Sequence, residues 1–165
     1  MIPDADAIRD FYQESSLNGP DNAVGFVLWR VMHRYQRAIE RALARHDLTH
    51  LQFTTLAMVG WMCRSGKPAT QAELAREANI HPMQISLMLK ALEAKSFVVR
   101  PPSETDTRTR LAVITTSGLT ALQAAFPIVI DVQHRMFGKA GASGGSLLEA
   151  LRKVERSELS DSLLT

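Results

Sequence analysis

Two arginines close the polar stretch PPSETDTRTR, which occupies residues 101–110 between the apolar runs SFVV and LAVI. Guanidinium groups on a loop pinned between two strands have an evident chemical use. They can bind phosphate oxygens or enter a narrow, electronegative minor groove of a duplex. Arg108 and Arg110 are the residues placed to do so, although lone loop arginines are as a rule only solvated. A second polar set precedes the loop in HPMQISLMLKALEAK. On a helical wheel Ile85, Leu89 and Leu92 share one face and should pack on Leu74 and Ala78. The opposite face carries Met83, Leu87, Lys90 and Ala94, flanked by Gln84 and Ser86.

Other chemistry is less well supported. The sequence HDLTH, from His46 to His50, imitates the zinc-protease pattern H-E-x-x-H. That pattern needs both histidines on one face of a continuous helix with a carboxylate between. Here Asp stands for Glu and Thr49 reads as a helix cap, so the pattern spans a break. Five histidines leave a regulatory metal open, but no pair has ligand spacing within one clear helix; no metal and no cofactor are expected. There is no Gly-rich phosphate cradle, nucleophile elbow or carboxylate pair, and the chain is not expected to be an enzyme. Cys63, the single cysteine, lies in the apolar run LAMVGWMC and reads as a buried thiol, with a redox sensor as the alternative. Arginines at 30, 34, 37, 41 and 45 form a ridge beside an apolar stripe. The ridge reads either as a solvated face paired with Glu40, Glu149, Glu155 or Glu158, or as an anion site. In the second reading Trp29, Arg30, His33 and Trp61 line a pocket for a small aromatic or anionic effector.

The elements that must position these residues follow from the pattern. The chain has 165 residues, 45% hydrophobic and 22% charged, with a net charge of +2. That is the composition of a soluble globular protein of one or two compact units. No apolar run is long enough to span a membrane, and the first fifteen residues do not resemble a signal peptide, so a cytoplasmic protein is expected. Residues 1–20 read as an N-terminal arm with a short helix in DAIRDFYQE. Val24, Val27, Val31, Tyr35, Ala38 and Ala42, at spacings of three and four, predict a helix from Asp21 or Asn22 to about Arg45. Thr49 with Gln52, and Thr70 with Glu73, have capping-box spacing, and Gly66 is placed to stop the first of these helices. Pro82 opens a helix reaching about Lys95. Two short strands follow, Phe97 to Arg100 and Leu111 to Ile114. Thr115 caps a helix reaching Phe137 and bent near Pro127, and Ser146 with Glu149 opens the last one. The fold class is mainly α with a small β-hairpin. A short helix, a tight turn and a second helix with a polar outer face match a helix-turn-helix reader, and a hairpin directly behind it is a wing. An ordinary helical hairpin is the plain alternative for the two helices alone.

The runs LTHLQFTTL, TQAELAREANI and ISLMLKALEAKSFVVRPPSETDTRTRLAVITTSG, most of residues 48–118, resemble the MarR family of winged-helix transcription regulators. The wing motif D-x-R at Asp106 and Arg108, then V-x-T from Val113 to Thr115, carries most of that likeness. The resemblance implies a winged helix-turn-helix DNA-binding domain over 48–114 and a helical dimerisation region over 21–47 and 115–165. It implies a homodimer on a pseudo-palindromic operator in double-stranded DNA, expected to act as a repressor and to respond to a small molecule. By position, Met83, Gln84 and Leu87 would face base edges, Ser86 and Lys90 would approach bases or phosphates, Arg108 would enter the minor groove, and Asp106 would shape the wing tip. Two departures stand out. Ser96 replaces the usual Gly after the reading helix, at roughly 1 kcal/mol if its backbone is left-handed. Leu87 replaces a polar or basic residue, which shifts readout toward thymine methyls. The alternatives are a winged-helix interaction module without DNA binding and a thiol- or metal-sensing regulator. A winged-helix part of a methyltransferase is a further alternative, although no cofactor domain is expected.

Overall fold

Capping explains where the helices of the computed structural model begin. Residues 2–15, 19–104, 106 and 109–157 are described. The chain divides into two compact units, residues 1–38 and 39–165. In the first, α1 (Ala5–Ser15) starts where Asp4 Oδ1 accepts the Ala7 amide at 2.8 Å. A 3-10 turn over Pro20–Asn22 then leads into α2 (Val24–Leu43), which continues into the second unit. Val27, Val31, Tyr35 and Ala38 of the expected stripe are half-buried. Val24, Phe26, Leu28, Trp29 and Met32 are exposed.

In the second unit, Ile39 and Leu43 of α2 are fully buried, and a 3-10 turn (Ala44–His46) ends at Asp47 with φ 50°. Thr49 and Gln52 form the expected capping box, and α3 (His50–Cys63) runs from it. Gly66, at φ 79°, donates its amide to the Cys63 carbonyl and closes that helix. Thr70 and Glu73 form the second box at the head of α4 (Gln71–Ala78). Asn79 then takes a left-handed turn, φ 50°, that satisfies the carbonyls of Ala75 and Arg76. Next comes α5 (Pro82–Ala94), followed by strands β2 (Val98–Val99) and β3 (Leu111–Ile114), α6 (Thr116–Phe137) and α7 (Ser146–Arg156).

Two features differ from expectation. A two-residue strand, β1 (Ala69–Thr70), pairs antiparallel with β3, so the sheet has three strands in the order β1-β3-β2. The head of α7 carries no capping box: Gly145 occupies the cap position without a side-chain bond, and Glu149 pairs with Arg152 at 2.9 Å.

The core gathers Leu56 and Val59 of α3, Leu74 of α4, Ile85, Leu89 and Leu92 of α5, Val98 and Ala112 of the sheet, and Ala125 of α6. The start of α6 is held hard against the end of α5. Thr115 Oγ1 and Ser117 Oγ both donate to the Ser96 carbonyl, at 2.7 and 2.6 Å. A Cβ on Gly118 would sit 2.1 Å from the Phe97 carbonyl oxygen, so only glycine allows this approach. Among the described residues, no helix is long and apolar enough to cross a membrane.

Candidate nucleic-acid interface

The helix after Pro82 presents the face that its sequence suggests. His81 caps it, its Nδ1 accepting the Met83 amide at 3.2 Å, and Pro82 fills the first turn, where an N–H would have no partner. Ile85, Leu89 and Leu92 are buried, which turns the opposite face outward. Met83 is 67% exposed and Leu87 55%. Gln84 and Lys90 are exposed and Ser86 is half-buried. These five side chains therefore share one helix surface whose backbone is fixed by the core.

The wing stands next to it in sequence and is ordered from its base. Val98 pairs with Ile114 and Val99 with Val113. Beyond them the Leu111 amide donates to the Pro101 carbonyl, Pro102 bridges Arg110, and the Ser103 amide donates to the Thr109 carbonyl. Asp106 closes the tip: its backbone carbonyl accepts the Thr109 amide and its carboxylate accepts the Thr109 hydroxyl, both at 2.9 Å. Arg110 is exposed at the edge of β3. Arg108 lies outside the described residues.

Sequence reasoning missed three residues that hold this surface. Lys95, directly after α5, donates to the Asp47 carbonyl and to Gln52 Oε1 at 3.1 Å, and pairs with the Asp47 carboxylate at 3.1 Å. Gln71 donates to the Pro82 carbonyl at 3.2 Å and accepts from Arg100 at the same distance. Each joins segments 11 to 48 residues apart, and local periodicity carries no signal of such pairs.

A cavity of about 780 Å³ opens between α3, β3 and α6, walled by Trp61, Cys63, Ile114, Leu122, Phe126 and Ile130. Its wall is mostly apolar, with one cation: Arg64 lies over the Trp61 ring, 3.7 Å from its centroid. The Cys63 thiol faces the sheet, donating to the Ala112 carbonyl at 3.5 Å. Of the four effector residues expected from the sequence, Trp61 lines this cavity. Trp29, Arg30 and His33 lie on α2 in the first unit. There Trp29 packs against Phe26 and His33, with ring centroids 5.7 and 4.3 Å away, and Arg30 pairs with Asp21 at 2.5 Å. Arg30, the first arginine of the ridge, thus finds its acid in the preceding turn. Glu158 lies outside the described residues. His46 and His50 sit on separate elements, as the cap at Thr49 implies, and no group of three metal-ligating side chains is assembled among the described residues.

A buried-backed reading helix preceded by a short helix and followed by a wing defines a winged helix-turn-helix protein. Residues 48–109 match the model of the MarR family. YdcH of Bacillus subtilis, an uncharacterized HTH-type transcriptional regulator, is 35% identical over 126 residues, covering 76% of this chain and 86% of YdcH. The chain belongs to the MarR family. Its fold is shared by solved structures. CouR from Rhodococcus jostii RHA1 bound to p-coumaroyl-CoA aligns with a TM-score of 0.70 and 24% identity, over 84% of this chain and 93% of CouR. A mutant MarR from E. coli complexed with operator DNA aligns with a TM-score of 0.69 and 23% identity, over 89% of this chain and 98% of that one.

Proposed function

We propose that this chain is a sequence-specific regulator of transcription that binds double-stranded DNA as a homodimer and acts as a repressor. The observation that carries this reading is the outward face of α5, with Met83, Gln84, Leu87 and Lys90 exposed beside a wing that ends in Arg110. In this reading Met83, Gln84 and Leu87 meet base edges in the major groove, while Ser86 and Lys90 approach bases or phosphates. Arg108 and Arg110 serve the minor groove and the backbone, on a wing tip shaped by Asp106. The family membership and the operator complex of a protein with the same fold support it.

The dimer is supported by apolar surface that water does not favour. Phe26, Leu28, Trp29 and Met32 of α2 are exposed, as are Leu151 and Val154 of α7. A second copy related by a two-fold axis would cover such helices, and the same symmetry sets half-site centres about 34 Å apart. The cavity beside Trp61 and Arg64 suits a flat apolar molecule with an anionic group, and CouR is a protein of this fold with a bound small molecule. Such an effector would work by favouring one spacing of the two reading heads over another.

The test is fluorescence anisotropy with the DNA upstream of the gene, repeated across salt. A reader making about six phosphate contacts loses roughly 10³ in affinity between 50 and 200 mM salt. Weak binding that is flat with salt would assign the fold to protein contacts instead.

A further inference from the structure

Something must fix the wing at a set distance from the reading helix, because both have to meet one rigid duplex at once. Packing does not do this at the cleft between them. Thr70, Gln71, Ala72, Pro82, Thr109 and Arg110 surround an open space of about 420 Å³ there. Among the described residues, Gln71 is the side chain that links its two sides. Gln71 is the first residue of α4, and the Thr70–Glu73 box holds its backbone. Its Nε2 donates to the carbonyl of Pro82, the first residue of α5. Its Oε1 accepts from an Arg100 guanidinium nitrogen. Arg100 follows β2 and precedes Pro101 and Pro102, whose rings fix φ as the chain enters the wing.

The chemistry of this chain runs in one direction only. An amide turned the other way would set its NH2 against a guanidinium, two donors, and its oxygen against a carbonyl, two acceptors. The observed orientation satisfies both neighbours, so Gln71 cannot flip without losing both. Arg100 is half-buried, and its Nε is buried with no partner. None of the ion pairs among the described residues includes it. Gln71 is therefore its one polar tether within the described protein, and the tether ends on the first turn of the reading helix.

We propose that the Arg100–Gln71–Pro82 chain is a positioning device that sets the register between wing and reading helix, and that Gln71 is its central positioning residue. The device touches no base itself. It rests on the DNA-binding reading for its purpose, but its geometry can be measured without DNA.

The experiment places spin labels at Leu87→Cys on the reading helix and Glu104→Cys in the wing, in a Cys63→Ser background, and records the distance distribution by double electron–electron resonance. Gln71→Met keeps length and bulk while removing both hydrogen bonds, and should broaden or shift the distribution with the melting temperature within about 4 °C of the parent. Gln71→Glu keeps the Arg100 contact but sets a carboxylate against the Pro82 carbonyl, and should shift the distribution by itself. Arg100→Lys should restore part of what Arg100→Met loses. On DNA, a duplex selected by the parent protein from random sequence is compared with a scrambled duplex. The ratio of the two affinities should fall at least about tenfold in Gln71→Met. An unchanged distribution in Gln71→Met and Gln71→Glu overturns the proposal. So does an Arg100→Met variant that weakens both duplexes equally and lowers the salt slope by about one, which is the signature of a plain phosphate contact. If the parent binds neither duplex, the DNA-binding reading fails while the distance distribution still decides the device.

Discussion

Leu87 and Leu89 are two residues apart on one helix and should respond to the same substitution in opposite ways. Leu89 is 1% exposed and Leu87 is 55% exposed. Truncating a fully buried leucine removes its transfer free energy and leaves a cavity, a loss of about 2–5 kcal/mol. For a chain of this size each kcal/mol lowers the melting temperature by about 2–4 °C, so Leu89→Ala should melt roughly 5–15 °C below the parent. Leu87→Ala changes a side chain backed by water and should stay within about 0.5 kcal/mol, or about 2 °C. Affinity for DNA should divide the other way. Gln84→Ala, on the same exposed face, forfeits a base contact of about 1–3 kcal/mol, a loss of roughly 5- to 150-fold per half-site. Scanning fluorimetry and anisotropy at one fixed salt concentration read the two quantities separately. Equal melting of the two leucine variants would mean that the helix is rotated from the orientation described. Parental affinity in Gln84→Ala would mean that this face does not read bases.

Three further perturbations test the scaffold. Thr70→Ala removes the hydroxyl that accepts the Glu73 amide at 3.2 Å, and should cost about 1 kcal/mol in chemical denaturation; an unchanged midpoint would show that the box does not hold α4. Gly118→Ala forces a Cβ to within 2.1 Å of the Phe97 carbonyl; the start of α6 must move away from the wing base, and a melting temperature equal to the parent's would refute that close approach. Burial pushes the His50 imidazole below its ordinary value of 6.5, only partly opposed by Glu40. The unfolded chain thus binds more protons than the folded one just below pH 6.5. Stability should be fully present above that pH and decline as pH falls toward the folded-state value. Denaturant midpoints across pH 5–8 should lose that part of their slope in His50→Gln, and an unaltered slope would exclude His50 as its source.

What could be read from the sequence and what could not divide by the range of the interaction. Capping boxes are local, with donor and acceptor three residues apart, and two of the three predicted boxes form, at Thr49 with Gln52 and at Thr70 with Glu73. The inward face of α5 is also local, since a 3.6-residue period fixes which side chains share a surface. Ser96 could be flagged because the turn after a reading helix needs a left-handed residue, and its φ is 59°. Where several residues compete for one local role, the reading fails: in GASGGS the cap falls to Gly145 rather than to a serine. The strand β1 has no pattern of its own, being two residues that pair with β3 only after the chain has folded back across some forty positions. Arg30 shows the same limit. Its place in a ridge at spacings of three and four gives no hint of its acid, which the 3-10 turn at Pro20–Asn22 supplies by bringing Asp21 against it. The residues on the exposed face of α5 were therefore legible, because helix period turns them away from the core. Those that hold the reading surface in place, Gln71, Lys95 and Arg100, were not, because their partners come from segments that only the folded chain brings together. Substitutions at such positions should alter recognition while leaving every local sequence signal intact.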